Sequence, residues 1–196
     1  MKKEREGSFM FNCAIDSGQS EAVIDFVLIW TLNCAQKGAE IYENEQLGRY
    51  SKMILSLLLF DDALKIEQQE YTVESVETWR QWAYTDIWAE ITLKNKQGKK
   101  ENYALLIEDK AYTHVGEGQL EKYKKLVDSH YEGSDYTIRY VLCTLSNKVP
   151  PKDKALAKKN DFWSYSLADI AKMLRKNGAE RTGNHLFDEF WMDQWG

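Results

Sequence analysis

The stretch Leu105-Leu106-Ile107-Glu108-Asp109-Lys110 is apolar until its last three residues, which are all charged. In an extended chain, residues two apart share a face. Glu108 and Lys110 therefore point one way with Leu106, and Asp109 points the other way with Ile107. A carboxylate and an ammonium lie side by side at the end of an otherwise apolar strand. A second strand-like segment, Thr85-Asp86-Ile87-Trp88-Ala89-Glu90-Ile91, precedes it. If the two form a hairpin closing at Asn95 to Gly98, Asp86 returns to the level of Glu108 and Lys110. Two carboxylates and a lysine converging in this way suit phosphodiester hydrolysis with a hard divalent cation. Mg²⁺ takes oxygen ligands, retains some waters and is commonly held by one or two carboxylates plus substrate phosphate, which fits Asp86 and Glu108. Such a cation makes water more acidic and offsets charge building on the phosphorus, while Lys110 orients that water or stabilises the same charge. Taken alone, Glu-x-Lys on a strand more often describes a salt bridge at a sheet edge.

The elements that must position these groups can be read from the periodicity. From Ser20 to Gln36, Val23, Phe26, Val27 and Trp30 recur at helical spacing, so a capped amphipathic helix starts near Ser20. A second, densely apolar helix is predicted from about Gln46 to Leu64. After Lys65 the context becomes β-branched and aromatic, and three successive strands follow: Tyr71 to Trp79, the segment around Asp86 to Leu93, and Glu101 to Lys110. The last two are joined by a lysine-rich Asn/Gly turn and should pair antiparallel. A helix from about Glu117 to Asp128 carries Leu120, Tyr123 and Val127, and the apolar strand Thr137 to Leu145 comes next. Pro150-Pro151 reads as a turn, Phe162 to Ser166 as a short strand, Leu167 to Leu174 as a helix ending before Gly178, and the C-terminal aromatic stretch as a short helix.

Glu21 at a helix start, Asp86 before a strand, Ile107-Glu108-Asp109-Lys110 closing the next strand, and Gln119-Leu120-Glu121-Lys122-Tyr123 on the following helix together resemble the PD-(D/E)XK nuclease superfamily. The resemblance is greatest to bacterial and phage members with an IExK strand and a QLxxY helix. It spans about Ser20 to Thr144 and implies an α/β (α+β) restriction-endonuclease-like fold: an αβββαβ core whose central mixed sheet is flanked by helices. A tail over 1–15 and a single nuclease-like domain over 16–196 are expected. The resemblance implies that Asp86 and Glu108 are metal ligands, that the backbone carbonyl of Asp109 completes the site, and that Lys110 is the catalytic lysine. It further implies that Glu21 reaches the metal through water, that Gln119 stands near the scissile phosphate, and that Tyr123, one helical turn on, supports the same face. Thr85 stands where the family name places a proline. Each residue also has a plainer role: Glu21 as a first-turn acid favoured by the helix dipole, Gln119 and Tyr123 as capping and packing residues, and Asp109 as a solvated or salt-bridged neighbour. His114, His130 and His185 show no metal-ligand spacing and read as surface or packing residues.

Composition narrows the function classes. The 196 residues are 43% hydrophobic and 13% aromatic, with 2 prolines and 11 glycines, which excludes disordered and collagen-like chains. No apolar run reaches the ~20 residues of a membrane span, and the charged start MKKEREGSF lacks a secretion signal's apolar stretch, so a soluble cytoplasmic protein is expected. Cys13, Cys34 and Cys143 are odd in number and widely spaced, which predicts buried reduced thiols rather than a disulfide or zinc framework. The net charge of −5 is uneven: residues 1–90 hold 8 Lys+Arg against 16 Asp+Glu, and residues 91–196 hold 18 against 15. A phosphate backbone is therefore expected to meet the second half. Lys94, Lys96, Lys99 and Lys100 at the hairpin turn, or Lys148, Lys152, Lys154, Lys158 and Lys159 in the loop after the fourth strand, are candidates to grip it. Trp79, Trp82, Trp88, Trp163, Trp191 and Trp195 are expected to fill the core. The functional expectation is a nuclease dependent on Mg²⁺ or Mn²⁺ and acting on nucleic acid, DNA first. A nuclease fold without turnover and an interaction module with an acidic protein-binding half are the alternatives, and a homodimer or protein partner stays open.

Overall fold

The computed structural model describes residues 20–82 and 85–195; the expected tail over 1–15 and Cys13 lie outside them. The chain opens with α1 (Ser20–Ile41) and α2 (Glu45–Phe60). Ile24, Val27, Leu28, Thr31, Leu32 and Ala35 recur three and four apart and are all buried, which is the stripe expected of a helix packed on one side. Asn44 caps α2 by accepting from the Leu47 N–H at 3.0 Å. The two helices approach so closely that a Cβ on Gly48 would lie 2.9 Å from the Cβ of Ala39. The second helix stops at Phe60, short of the expected Leu64, because Asp61 adopts a left-handed conformation (φ 55°) and returns its N–H to the Leu57 carbonyl. A one-turn helix, α3 (Lys65–Gln68), follows.

Strands β1 (Thr72–Arg80), β2 (Ile87–Lys94) and β3 (Lys100–Lys110) form an antiparallel meander. After helix α4 (Gln119–His130), β4 (Tyr136–Thr144) lies parallel to β3, and β5 (Trp163–Ser166) lies parallel to β4. The result is a mixed sheet of order β1-β2-β3-β4-β5. Alternation along β3 divides the interior. Tyr103, Leu105 and Ile107 join the core beneath α1, α2 and α6 (Leu167–Lys176), while Ala104 and Leu106 join a smaller core beneath α4 and α5 (Pro151–Lys159). The order of helix, three strands, helix and strand is the one expected from the sequence, with the second helix, α2, also expected, between α1 and β1.

Two expectations change. Pro150-Pro151 opens a helix instead of marking only a turn: Pro151 takes the first helical position, where its missing N–H costs no hydrogen bond. Lys152, Lys154, Lys158 and Lys159 thus ride on α5, not on a loop. The tryptophans are also not all core. Trp88, Trp191 and Trp195 are buried, Trp82 and Trp163 are half-buried, and Trp79 on the edge strand is 42% exposed. Ser166 caps α6 through a reciprocal box with Asp169. The C-terminal helix is α7 (His185–Phe187), continued by a wider π turn over Asp188–Asp193. Cys34 and Cys143 are buried free thiols, as expected. No described helix is long and apolar enough to cross a membrane.

Candidate active site

The β2–β3 hairpin decides where the carboxylates fall. Its ladder ends with Ile87 opposite Ile107, so the next residues out, Asp86 and Glu108, face one another across the strands with their Cβ atoms roughly 5 Å apart. Asp86 is held at that point by its own loop. Gln81 N–H donates to the Asp86 carbonyl at 3.0 Å, the Thr85 hydroxyl donates to the Trp82 carbonyl at 2.6 Å, and the Asp109 N–H donates to Asp86 Oδ2 at 3.0 Å. The last bond ties the side chain of one strand to the backbone of the next.

Glu108 is 1% exposed. Its Oε1 accepts from Lys110 Nζ at 2.5 Å and from Gln119 Nε2 at 2.6 Å. Its Oε2 is buried and has no donor. Burial, and then the charge of Asp86, push this carboxyl up to about 8, against the opposing pull of Lys110. For Lys110 the balance runs the other way: burial lowers it, but the hydrogen bond and charge of Glu108, with Asp86 and Asp109 behind, leave the ammonium raised and hence charged. Gln119 sits at the start of α4, where Gly118 turns the chain with φ 75°. Its amide oxygen accepts from Gly116 N–H at 3.0 Å, and its nitrogen also donates to the Tyr123 hydroxyl at 2.9 Å. Because that hydroxyl is accepting, its own proton is free to donate elsewhere.

The opposite face of β3 holds a second acidic group. Asp109 is neither solvated nor salt-bridged: it is 2% exposed and neither of its oxygens has a donor among the surrounding groups. Burial first, and then Asp25, Asp86 and Glu21, drive its carboxyl well above the ordinary range. Asp25 is its neighbour: Asp25 Oδ1 is likewise buried without a partner, and its Oδ2 accepts from Arg80 Nε at 3.1 Å and from an Arg80 terminal nitrogen at 2.6 Å. Glu21, one turn earlier on α1, is exposed and reaches the β3 end, its Oε1 accepting from Ala111 N–H at 3.4 Å.

The structure therefore brings Asp86, Glu108, Lys110, Gln119 and Tyr123 together, with Glu21 at their margin and Asp109 behind the strand. It does not bring Lys94 and Lys96 there. They lie at the closed end of the hairpin, roughly 30 Å from Lys110 along β3, and Lys94 and Lys100 pair with Glu74 while Lys96 pairs with Glu70. Lys152 is nearer. It stands in the first turn of α5 beside Asp153, a fully buried carboxylate that accepts from Val115 N–H and from His114 Nδ1, and so anchors α5 to the segment linking Lys110 to Gln119. Asp25 and Arg80 were not singled out in the sequence. The available signal for Asp25 was its place one helical turn after Glu21.

Among the described residues no set of three or more His, Cys, Asp or Glu side chains gathers around a cation position. The carboxylates facing α4 come as the pair Asp86 and Glu108, a donor set that suits a hard cation completed by water and phosphate. Two clefts among the described residues lie elsewhere. One of about 390 Å³ is bounded by Asp61, Lys154, Trp163 and Tyr165, and one of about 310 Å³ by Arg49, Ile66 and Tyr71. Neither contains the converging groups, and a polymer lying along a surface needs no enclosed pocket.

Comparison with known proteins agrees with the fold. A sequence model of the PD-(D/E)XK nuclease superfamily matches residues 19–193. The chain belongs to that superfamily, and its five-stranded mixed sheet flanked by helices is a restriction-endonuclease-like α+β fold. Among curated proteins no sequence match is found. Among solved structures, the chain is similar to the MspJI restriction endonuclease in complex with a 27-mer oligonucleotide, at 12% identity and a TM-score of 0.34, over 91% of this chain and 38% of that one. The chain thus spans less than two fifths of that protein's length.

Proposed function

We propose that the protein is a divalent-cation-dependent nuclease that hydrolyses phosphodiester bonds in DNA, with Asp86 and Glu108 holding Mg²⁺ or Mn²⁺ and Lys110 assisting the attacking water. The observation that carries this reading is Glu108 Oε2, a buried carboxylate oxygen with no donor, set across a hairpin from Asp86 and beside a charged lysine. A lone pair left unsatisfied in that position is costly in isolation and is satisfied by a cation. Asp86, Glu108 and the backbone carbonyl of Asp109 fit the oxygen chemistry such an ion demands. When bound, the ion supplies charge neutralisation at the scissile phosphate and increases the acidity of water.

The chain's own groups do the rest. Gln119 and Lys110 both occupy Glu108 Oε1, which fixes the carboxyl and leaves Oε2 open to a cation. The Lys110 ammonium, mostly buried, presents its remaining N–H groups to the water or to a phosphoryl oxygen and stabilises negative charge as it grows. Tyr123 offers its free hydroxyl proton to the same phosphate, and Glu21 approaches from α1 to orient water. The lysines of α5, Lys152 foremost, lie on the approach for the backbone of the substrate. Superfamily membership supports phosphodiester cutting as the reaction.

The test is cleavage of linear, circular and single-stranded DNA, with RNA in parallel, in Mg²⁺, Mn²⁺ and chelator. Cutting that needs the cation and disappears in Lys110→Ala is expected. Cation-independent cutting, or none on any substrate, would overturn the reading.

A further inference from the structure

The acidic group behind β3 is large for something the reaction does not touch. Asp25 and Asp109 are 5% and 2% exposed, and they come from segments far apart in the chain. Arg80 closes the group from a third element, the end of β1, with both of its hydrogen bonds on Asp25 Oδ2. Burying two carboxyls and half a guanidinium is expensive, and apolar side chains would fill the same space at lower cost. The contacts, however, run in a ring. Arg80 is paired on the sheet with Ile87, the residue after Asp86. Asp86 Oδ2 accepts from the Asp109 N–H. The buried Asp109 carboxyl has Asp25 as its neighbour, both with unpartnered oxygens, and Asp25 returns to Arg80. The ring thus passes through β1, β2, β3 and α1, and the one member facing the cation site is Asp86.

We propose that Arg80, Asp25 and the Asp109 side chain form a clamp behind the catalytic strand that positions Asp86, and through α1 Glu21, for cation binding. Fixing the Asp109 side chain from behind fixes the tilt of its peptide, and that peptide's N–H is what orients the Asp86 carboxylate. Fixing Asp25 sets the rotation of α1, which carries Glu21 one turn earlier to the end of β3. Arg80 and Asp25 are positioning residues: neither touches the substrate, and removing either should loosen the ring without removing a ligand. The inference rests on the nuclease reading for its consequence but not for its geometry.

Two readouts separate these. The full chain is compared with Asp25→Ala, Arg80→Met and the conservative Asp25→Asn, whose amide can still donate to Asp109 and accept from Arg80. The first readout is Mn²⁺ binding by calorimetry without nucleic acid, with Asp86→Ala as the null. The second is exchange of the Asp109 amide proton by NMR, set against amides in the middle of β4 as a measure of global opening. The clamp predicts that Asp25→Ala and Arg80→Met bind Mn²⁺ roughly tenfold or more weakly, as loss of a partner behind a metal ligand commonly does. It also predicts that their Asp109 amide exchanges faster while β4 amides do not, and that Asp25→Asn stays near the parent. Arg80 is half exposed, so Arg80→Met should fold even if Asp25→Ala does not. Unchanged Asp109 exchange in Arg80→Met, or unchanged Mn²⁺ affinity where the parent binds it, overturns the clamp. If the parent binds no cation the nuclease reading falls, and the exchange result alone then decides whether the ring holds Asp86.

Discussion

Replacing Glu108 by glutamine should stabilise the cation-free protein and abolish its response to cation. Burial and Asp86 raise the Glu108 carboxyl from 4.5 to about 8. An acid raised in this way favours the folded state while it is protonated, and the advantage is lost as pH climbs from the unfolded value to the folded one. In chelator, the parent should therefore lose stability between about pH 5 and pH 8. The gap from 4.5 to about 8 sets that loss at no more than about 5 kcal/mol, or roughly 10–20 °C in Tm for a chain of this size. Glutamine keeps an oxygen for Lys110 and Gln119 and turns its nitrogen toward Asp86, so the site stays bonded without the charge. Asp109, raised for its own reasons, adds a similar slope to both proteins, so the difference between them isolates Glu108. Thermal melts in chelator from pH 5 to pH 8 should start together and diverge, with Glu108→Gln the more stable at pH 8. Adding Mg²⁺ or Mn²⁺ at pH 8 should raise the parent and leave Glu108→Gln unmoved. Parallel curves in chelator, or equal cation responses, would refute the reasoning.

Other expectations follow from the same geometry. Lys110→Ala should abolish cutting while calorimetry still finds the cation, because lysine is not a ligand. Tyr123→Phe removes one hydroxyl that Gln119 and a phosphate share, and should lower the cleavage rate by about tenfold or less while the melting curve barely moves. Neutralising Lys94, Lys96 and Lys100 together should leave the salt dependence of DNA binding nearly unchanged, since acidic partners hold all three at the far end of the hairpin. Neutralising Lys152, Lys154, Lys158 and Lys159 should flatten it by nearly one in slope for each phosphate that no longer has a lysine against it, measured by titration in Ca²⁺ with Lys110→Ala as the background.

The core of the site was legible in the sequence because a hairpin is self-registering. Once the strands around Asp86 and Glu108 are joined by a short turn, their pairing follows from counting, and alternation assigns Glu108 and Lys110 to one face. The same count places Lys94 and Lys96 at the wrong end: β3 is 11 residues long, and lysines at its start cannot reach its finish. Alternation gives a side but not a depth, which is why Asp109 could be assigned to the face away from Glu108 but not seen to be buried. The α5 helix was hidden for a different reason. Proline at a first helical position and proline in a turn look identical in sequence, and that helix buries only Asp153 and Ala157, too few residues to set up a visible period. Arg80 and Asp25 are 55 residues apart, and their meeting depends on how α1 settles against β1, which no local pattern encodes.

The distribution of cost across the sheet links fold to function. The apolar middle of β3 and its neighbours packs on both faces, through Leu105 and Ile107 on one side and Ala104 and Leu106 on the other. Its last three residues are ionisable on both faces, Glu108 and Asp109 almost fully buried, with Glu108 Oε2 and both Asp109 oxygens lacking donors. A strand end selected for stability alone would place solvated residues there. Concentrating unpartnered carboxyl oxygens at one point, with Lys110 in front and Arg80 behind to offset them, makes the resting site short of partners for those oxygens. A divalent ion would make up that deficit, and its charge would then draw the anionic phosphodiester. Filling the deficit by substitution should therefore always trade activity for stability at Glu108, whereas on the Asp109 side an uncharged replacement at Asp25 that preserves the ring should cost neither.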